Sequence, residues 1–151
     1  MMSFIEPKQV FIGETLESRD AALRFISKKA AELGFADSEE EAYEAFLARE
    51  AEDATGMQWG FAIPHAKADA IHKAGVIVLK MTKPVEWPSF DNEPVDIAIA
   101  LLVPGSEAGT THLQLLSKTA LMLMDDDFRG FLRKSNDAQA IADEMNARLE
   151  K

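Results

Sequence analysis

The sequence predicts an α/β fold, a three-layer α/β/α arrangement in which helices flank a mixed central β-sheet. Two observations support this prediction. Helical patterns precede and follow a set of strand-like runs. In addition, the run at residues 95–103 is apolar on both faces, as expected for a central strand covered by helices on each side. The chain has 151 residues, 47% of them hydrophobic, which suits one domain spanning 1–151.

The first elements are an extended segment and a helix. Residues 9–12 form a short apolar stretch that ends at Gly13, which predicts a first strand. Ser18 and Asp20 then open a helical pattern, and Gly34 lies where a C-terminal cap would be. The apolar positions of this helix recur every three or four residues: Ala22, Leu23, Ile26, Ala30 and Leu33.

A second helix is predicted from a capping pattern. Ser38 is followed three residues later by Glu41, which has the form of a capping box. The helix is expected to run to about Glu52. Its buried face consists of Tyr43, Phe46 and Leu47.

The period then changes to that of strands. Residues 61–63, 75–81 and 95–103 are apolar, β-branched-rich runs bounded by Gly, Pro, Asp and Asn, and they predict three strands. A helix is expected to begin at Thr110 or Thr111, and a final one at Ser135 to Asp137, ending near Leu149. The apolar positions of the first of these helices are Leu113, Leu116, Ala120 and Leu123.

Composition excludes several classes of function. The chain has no cysteine, so thiol nucleophiles, disulfides and thiolate metal clusters are excluded. Its net charge of −10 is the wrong sign for holding a nucleic-acid backbone. No apolar run approaches the roughly 20 residues that span a bilayer, and residues 1–14 lack a signal-peptide pattern. We therefore expect a cytoplasmic protein with no nucleic-acid partner and no direct membrane insertion.

His65 is the first candidate functional residue. It follows Pro64 at the end of the strand at 61–63, where functional groups concentrate. Because proline removes a donor from the sheet, the strand is expected to stop there and to aim the imidazole out of the sheet. An ordinary histidine at a strand end remains the alternative.

Arg49 and His112 are the second and third candidates. Arg49 is the only basic residue between Lys29 and Lys67, in an acidic segment, and its guanidinium fits phosphate oxygens. His112 lies at the predicted start of a helix, where backbone amides favour an anion and a neutral imidazole. A surface ion pair for Arg49 and a half-buried capping role for His112 remain alternatives. His72 is interpreted as a surface residue.

These residues lie in an ordered set of motifs that resembles the fructose/mannitol-type enzyme IIA family of the bacterial sugar phosphotransferase system, including its nitrogen-branch relatives. The resemblance covers about residues 9–149. Its sharpest part runs from Leu47-Ala48-Arg49-Glu50 through Thr55-Gly56 and Gly60 to Ala62-Ile63-Pro64-His65. Further motifs follow in order: Asp91-Asn92-Glu93-Pro94-Val95-Asp96, Leu101-Leu102-Val103-Pro104 and Thr111-His112-Leu113.

The resemblance implies a phosphoryl carrier with a mixed sheet between helices. His65 would accept phosphate from phospho-HPr and donate it to a cysteine of enzyme IIB, while Arg49 and His112 flank the phosphoryl group. No metal or organic cofactor is needed for this protein-to-protein transfer. Two departures, Ala66 in place of a common glycine and the bulky Trp59, put the local loop shape in doubt.

Two other functions stay open at the level of sequence. One is a nitrogen-branch regulatory phosphoprotein, in which phosphorylation of His65 changes binding to a target without sugar transport. The other is a zinc site built from His65, His72 and His112, although the spacing fits no short ligand motif. The sequence does not name the sugar, because in a phosphotransferase system the membrane component contacts it.

Overall fold

The structure is a computed structural model that describes residues 5–105 and 110–150, with only the backbone at 110–113. A short 3-10 turn, Pro7–Gln9, precedes the first strand. In chain order the elements that follow are β1 (Val10–Glu14), α1 (Arg19–Glu32), α2 (Glu39–Glu52), β2 (Phe61–Ala62), β3 (His65–Ala68), β4 (Gly75–Val85), β5 (Val95–Pro104), α3 (Thr110–Leu123), α4 (Asp126–Lys134) and α5 (Ala138–Leu149).

The described strands form one mixed sheet, as predicted, and β3 is a fifth strand that the sequence did not predict. Its order is β1-β4-β5-β2, with β3 also paired to β5. Strand β1 runs parallel to β4, β4 runs antiparallel to β5, and β2 and β3 run parallel to β5. The predicted central strand is therefore β5, which is buried along nearly its whole length.

Two separate cores confirm the three-layer arrangement. Side chains alternate between the faces of a strand, so neighbouring residues of β5 belong to different cores. Ala98, Ala100 and Leu102 pack with α1 and α2 on one face. Ile99 and Leu101 pack with α3, α4 and α5 on the other. Within the described residues, no helix is both long and apolar enough to cross a lipid bilayer.

The predicted helix ends in the first third of the chain are confirmed by hydrogen bonds. The Ser18 side chain accepts from the amide of Ala21 at 3.0 Å, and the Ser38 side chain accepts from the amide of Glu41 at 3.1 Å. Gly34 follows α1 with φ of 83°, a left-handed conformation that glycine adopts without steric cost. These local contacts fix where α1 and α2 begin and where α1 ends.

Helix α4 was not predicted from the sequence. Its nine residues begin after Asp125, whose side chain accepts from the amide of Asp127. Phe128 and Leu132, one turn apart, are fully buried against the α3–α5 core. The helix is short and mostly charged, so it presents only these two buried positions within a polar segment.

Candidate functional site

The strand before Pro64 ends there, as expected, but sheet pairing resumes at His65, which begins strand β3. Strand β2 ends at Ala62, and the sheet resumes at His65, whose Cα pairs with that of Leu101. Proline lacks an N–H group, but its carbonyl remains an acceptor. The amide of Leu101 donates to the Pro64 carbonyl at 2.9 Å. Pro64 therefore interrupts the strand without ending the pairing with β5.

The register of β3 fixes which face of the sheet His65 occupies. Residues paired in neighbouring strands project to the same face, and Leu101 packs with α3, α4 and α5. Ala66, the next residue, packs with α1 and α2 on the opposite face. His65 therefore projects from the sheet towards the layer that contains α3, and it is only 5% exposed.

Arg49 lies in the last turn of α2, the helix whose buried residues pack on the opposite face of the sheet from α3. The residue is half-buried, and its Nη1 donates to the backbone carbonyl of Asp53 at 2.7 Å in an exposed hydrogen bond. Helix α2 packs directly against β3, the strand that His65 begins. The structure therefore brings the elements that carry Arg49 and His65 into contact, and Arg49 lies where the chain turns from α2 towards β2.

A buried carboxylate beside Arg49 organises this turn. Glu50 is 7% exposed, and its Oε1 accepts from the backbone amide of Thr55 at 3.2 Å and from Nε1 of Trp87 at 3.2 Å. Its Oε2 accepts a short hydrogen bond from the Thr55 hydroxyl. We call Glu50, Thr55 and Trp87 the Glu50 cluster. The sequence interpretation missed it because Glu50 stands in an acidic run that is typical of a solvated helix face.

The Glu50 cluster is joined directly to the segment that precedes His65. The carbonyl of Thr55 accepts from the amide of Ile63 at 3.0 Å. Gly56 forms β-bridges with Ala62 on one side and Ser89 on the other. The turn after α2 therefore lies along the edge of β2, and its position is set by the same carboxylate that adjoins Arg49.

His112 lies in the first turn of α3, which begins at Thr110 as predicted. Its side chain is outside the described residues, so its proposed role stays a prediction. The chain leaves β5 at Gly105, where a Cβ atom would lie 2.4 Å from Oδ1 of Asp69. Because Asp69 directly follows β3, the segment leading to α3 departs from beside the end of the strand that carries His65.

His72 lies on the surface, as the sequence indicated. Its side chain is 53% exposed, and Nε2 lies 2.5 Å from Oδ1 of Asp37. Among the side chains that the structure describes, no group of three or more His, Asp or Glu residues is arranged to hold a metal ion. The zinc alternative also needs the His112 side chain, which lies outside the described residues, so it stays untested.

Trp59 adopts an unusual backbone conformation in the loop before β2. Its φ is 61°, a left-handed value that is rare for a bulky residue, and Gly60 follows with φ of 83°. The Trp59 amide donates to Oδ2 of Asp91 at 3.0 Å, and its ring stacks 3.7 Å from the guanidinium carbon of Arg129. The Asp91 carboxylate and the Arg129 guanidinium thus hold the loop at Trp59, the bulky residue that departs from the family pattern.

Comparison with known proteins connects this arrangement to one family. Residues 3–147 match the family described as "Phosphoenolpyruvate-dependent sugar phosphotransferase system, EIIA 2". The chain is 35% identical over 137 residues to the nitrogen regulatory protein of Bradyrhizobium diazoefficiens, covering 91% of this chain and 88% of that protein. It is 32% identical over 143 residues to the fructose-specific EIIA component of Haloferax volcanii, covering 94% and 92%.

The fold agrees with a solved structure of similar length. The crystal structure of nitrogen regulatory protein IIA-Ntr from Neisseria meningitidis superposes with a TM-score of 0.83 at 25% identity, covering 97% of this chain and 96% of that one. The relatives thus include proteins named for nitrogen regulation and a protein named as a fructose-specific EIIA component.

Proposed function

Because the chain belongs to the EIIA 2 family of the phosphoenolpyruvate-dependent sugar phosphotransferase system, we propose that it carries a phosphoryl group on His65 between two proteins. The donor is phospho-HPr, and the acceptor is a cysteine of enzyme IIB that serves sugar uptake. The chain works as one cytoplasmic domain spanning residues 1–151. No metal or organic cofactor takes part in either transfer.

Each transfer is an exchange at phosphorus. A ring nitrogen of neutral His65 attacks the phosphoryl group of the donor phosphohistidine, forming a new N–P bond as the donor's N–P bond breaks. The donor imidazole leaves with the electron pair of that bond. In the second step the cysteine sulfur of enzyme IIB attacks, an S–P bond forms, and His65 takes back the electron pair. Such transfers depend on in-line positioning and on stabilising charge on the equatorial oxygens.

The single observation that carries this proposal is the placement of His65. It is a buried histidine at the start of β3, on the sheet face covered by the layer that contains α3. The element that carries Arg49 packs against the same strand. Arg49 supplies a cation for the phosphoryl oxygens, and the N-terminus of α3, with His112, supplies hydrogen-bond donors.

A regulatory role is the second candidate, favoured by the relatives named for nitrogen regulation. In that case the phosphorylation of His65 is the same, but the phosphorylated state is read by a target protein rather than passed to enzyme IIB. Incubating the phosphorylated chain with an enzyme IIB from the same organism separates the two functions. Transfer to a IIB cysteine supports transport, and retention of the label on the chain supports regulation.

The test of the carrier function is reconstituted phosphorylation with phosphoenolpyruvate, enzyme I and HPr. We expect acid-labile label on the wild type and none on His65→Ala. His72→Ala is the matched control, because His72 is exposed and pairs with Asp37; it should be labelled like the wild type. His112→Ala should be labelled more slowly. Absence of label on the wild type, or unchanged label on His65→Ala, would contradict the proposal.

A further inference from the structure

We propose that Glu50 is a positioning residue of the phosphoryl site, which it serves by holding Arg49 in place relative to His65. This inference rests on the proposed carrier function. Glu50 does not touch the phosphoryl group in this account. It acts through Arg49, the neighbouring residue on α2, by closing the turn whose Asp53 carbonyl accepts a hydrogen bond from the Arg49 guanidinium.

Three hydrogen bonds from two different segments converge on the Glu50 carboxylate. Thr55 donates its backbone amide and its hydroxyl, and Trp87 donates its indole N–H from the segment between β4 and β5. All three donors are directed at a side chain that is 7% exposed. A buried carboxylate is costly unless its oxygens are satisfied, so each donor is needed to keep it there.

The Glu50 cluster connects the end of α2 to the beginning of β3. Thr55 continues the connection by accepting from the amide of Ile63, two residues before His65. On the helix side, the Arg49 guanidinium is bonded to the carbonyl of Asp53, within the turn that Glu50 holds closed. Through Thr55 and the turn at Asp53, the carboxylate is therefore connected to both Arg49 and the segment before His65, the two groups whose separation the transfer reaction has to fix.

The three hydrogen bonds donated to Glu50 explain why this position requires a carboxylate. A glutamine at this position has the same shape but only one carbonyl oxygen, and its amide nitrogen is a donor facing other donors. Glu50→Gln therefore weakens the hydrogen bonds that hold the turn after α2, and it leaves no cavity because the side chain keeps its size. Misplacement of a catalytic group by about 1 Å is enough to slow a reaction up to 100-fold.

A second buried ionic residue provides a matched control. Lys80 in β4 is 8% exposed, and its ammonium donates to the carbonyls of Ser135 and Arg133 at 2.6 and 3.3 Å. It pairs with Ile97, four positions before Leu101, the partner of His65. Like Glu50, Lys80 joins two segments through buried hydrogen bonds, but those segments are β4 and the end of α4.

The test is a double-mutant cycle on the rate of phosphoryl transfer from phospho-HPr, measured on the full chain. Glu50→Gln should lower kcat at least about tenfold, with the KM for phospho-HPr within about twofold of the wild type. In the Arg49→Ala background, Glu50→Gln should change the rate by less than about twofold, because Glu50 acts through Arg49. Lys80→Met should leave the transfer rate unchanged whatever it does to the urea midpoint.

Trp87→Phe supplies an independent arm, should Glu50→Gln fail to fold as judged by circular dichroism. It removes one of the three donors while keeping an aromatic side chain. We expect a fall in kcat of about threefold that likewise disappears in the Arg49→Ala background.

A normal transfer rate in Glu50→Gln would overturn the inference. So would a Glu50→Gln effect on the transfer rate that is as large in the Arg49→Ala background as in the wild type, because a general loss of structure gives that result. Failure of the carrier function is a different result, because then the wild type itself takes up no label.

Discussion

Two glycine-to-alanine substitutions that add the same methyl group should change stability in opposite directions. At Gly56, a Cβ atom would lie 2.2 Å from the carbonyl oxygen of Pro88 and 2.8 Å from Cβ of Ser89. At Gly130, inside α4, a Cβ atom would meet nothing within 4 Å. The first site is occupied by backbone that forms a β-bridge with Gly56, whereas the second is open.

The magnitudes follow from these distances. The methyl group at position 56 forces the Pro88 segment to retreat by roughly 1 Å to reach van der Waals separation. Overpacking of this kind costs about 1–3 kcal/mol of unfolding free energy. Gly130 lies within a helix and not at a positive φ, so alanine there should stabilise the protein by about 0.5–1 kcal/mol.

The assay is urea unfolding followed by circular dichroism, with thermal unfolding in parallel. For a chain of this size, each 1 kcal/mol shifts Tm by about 2–4 °C. Gly56→Ala should lower both midpoints, and Gly130→Ala should raise both. A urea midpoint of Gly56→Ala equal to or above that of the wild type would contradict this prediction, because the Pro88 segment would then have moved without a cost in stability.

Two further predictions concern the core and the loop at Asp91. Phe46 on α2 is fully buried, so Phe46→Ala should lower the unfolding free energy by about 3–5 kcal/mol in urea; a loss below 1 kcal/mol would contradict its place in the core. Hydrogen bonds from the backbone N–H group of Trp59, and to a lesser extent from that of Glu93, lower the pKa of the Asp91 carboxyl in the folded state. As the pH falls, this carboxyl is therefore protonated more readily in the unfolded state than in the folded state. The stability advantage of the wild type over Asp91→Asn should therefore be complete above about pH 4, the ordinary range for aspartate, and shrink as the pH falls further. Urea midpoints at pH 6 and pH 3 measure it, and an advantage that is equal at both would count against the assignment.

Local signals in the sequence were enough to predict most of the helices. Ser18 and Ser38 accept the capping hydrogen bonds that their positions indicated, and Gly34 has the left-handed φ expected after a helix. Helix α4 was missed because its buried residues, Phe128 and Leu132, give too short a periodic pattern to stand out among charged neighbours.

Two features of the candidate site depend on contacts between distant residues, which the sequence does not reveal. Strand β2 ends before Pro64 as expected, but the new strand that begins at His65 was not predicted, because its pairing depends on the register of the distant strand β5. Glu50 was passed over because a glutamate in an acidic run is usually solvated. Its burial depends on Trp87, 37 positions away, which only the folded chain brings within hydrogen-bond distance.

The most direct measurement of the central claim is to locate the phosphoryl group after incubation of the wild-type chain with phospho-HPr. Fragmentation mass spectrometry at a pH that preserves phosphohistidine can distinguish His65 from His72 and His112. We expect the phosphoryl group to be found on His65. A phosphoryl group on either other histidine, or on none, would contradict it.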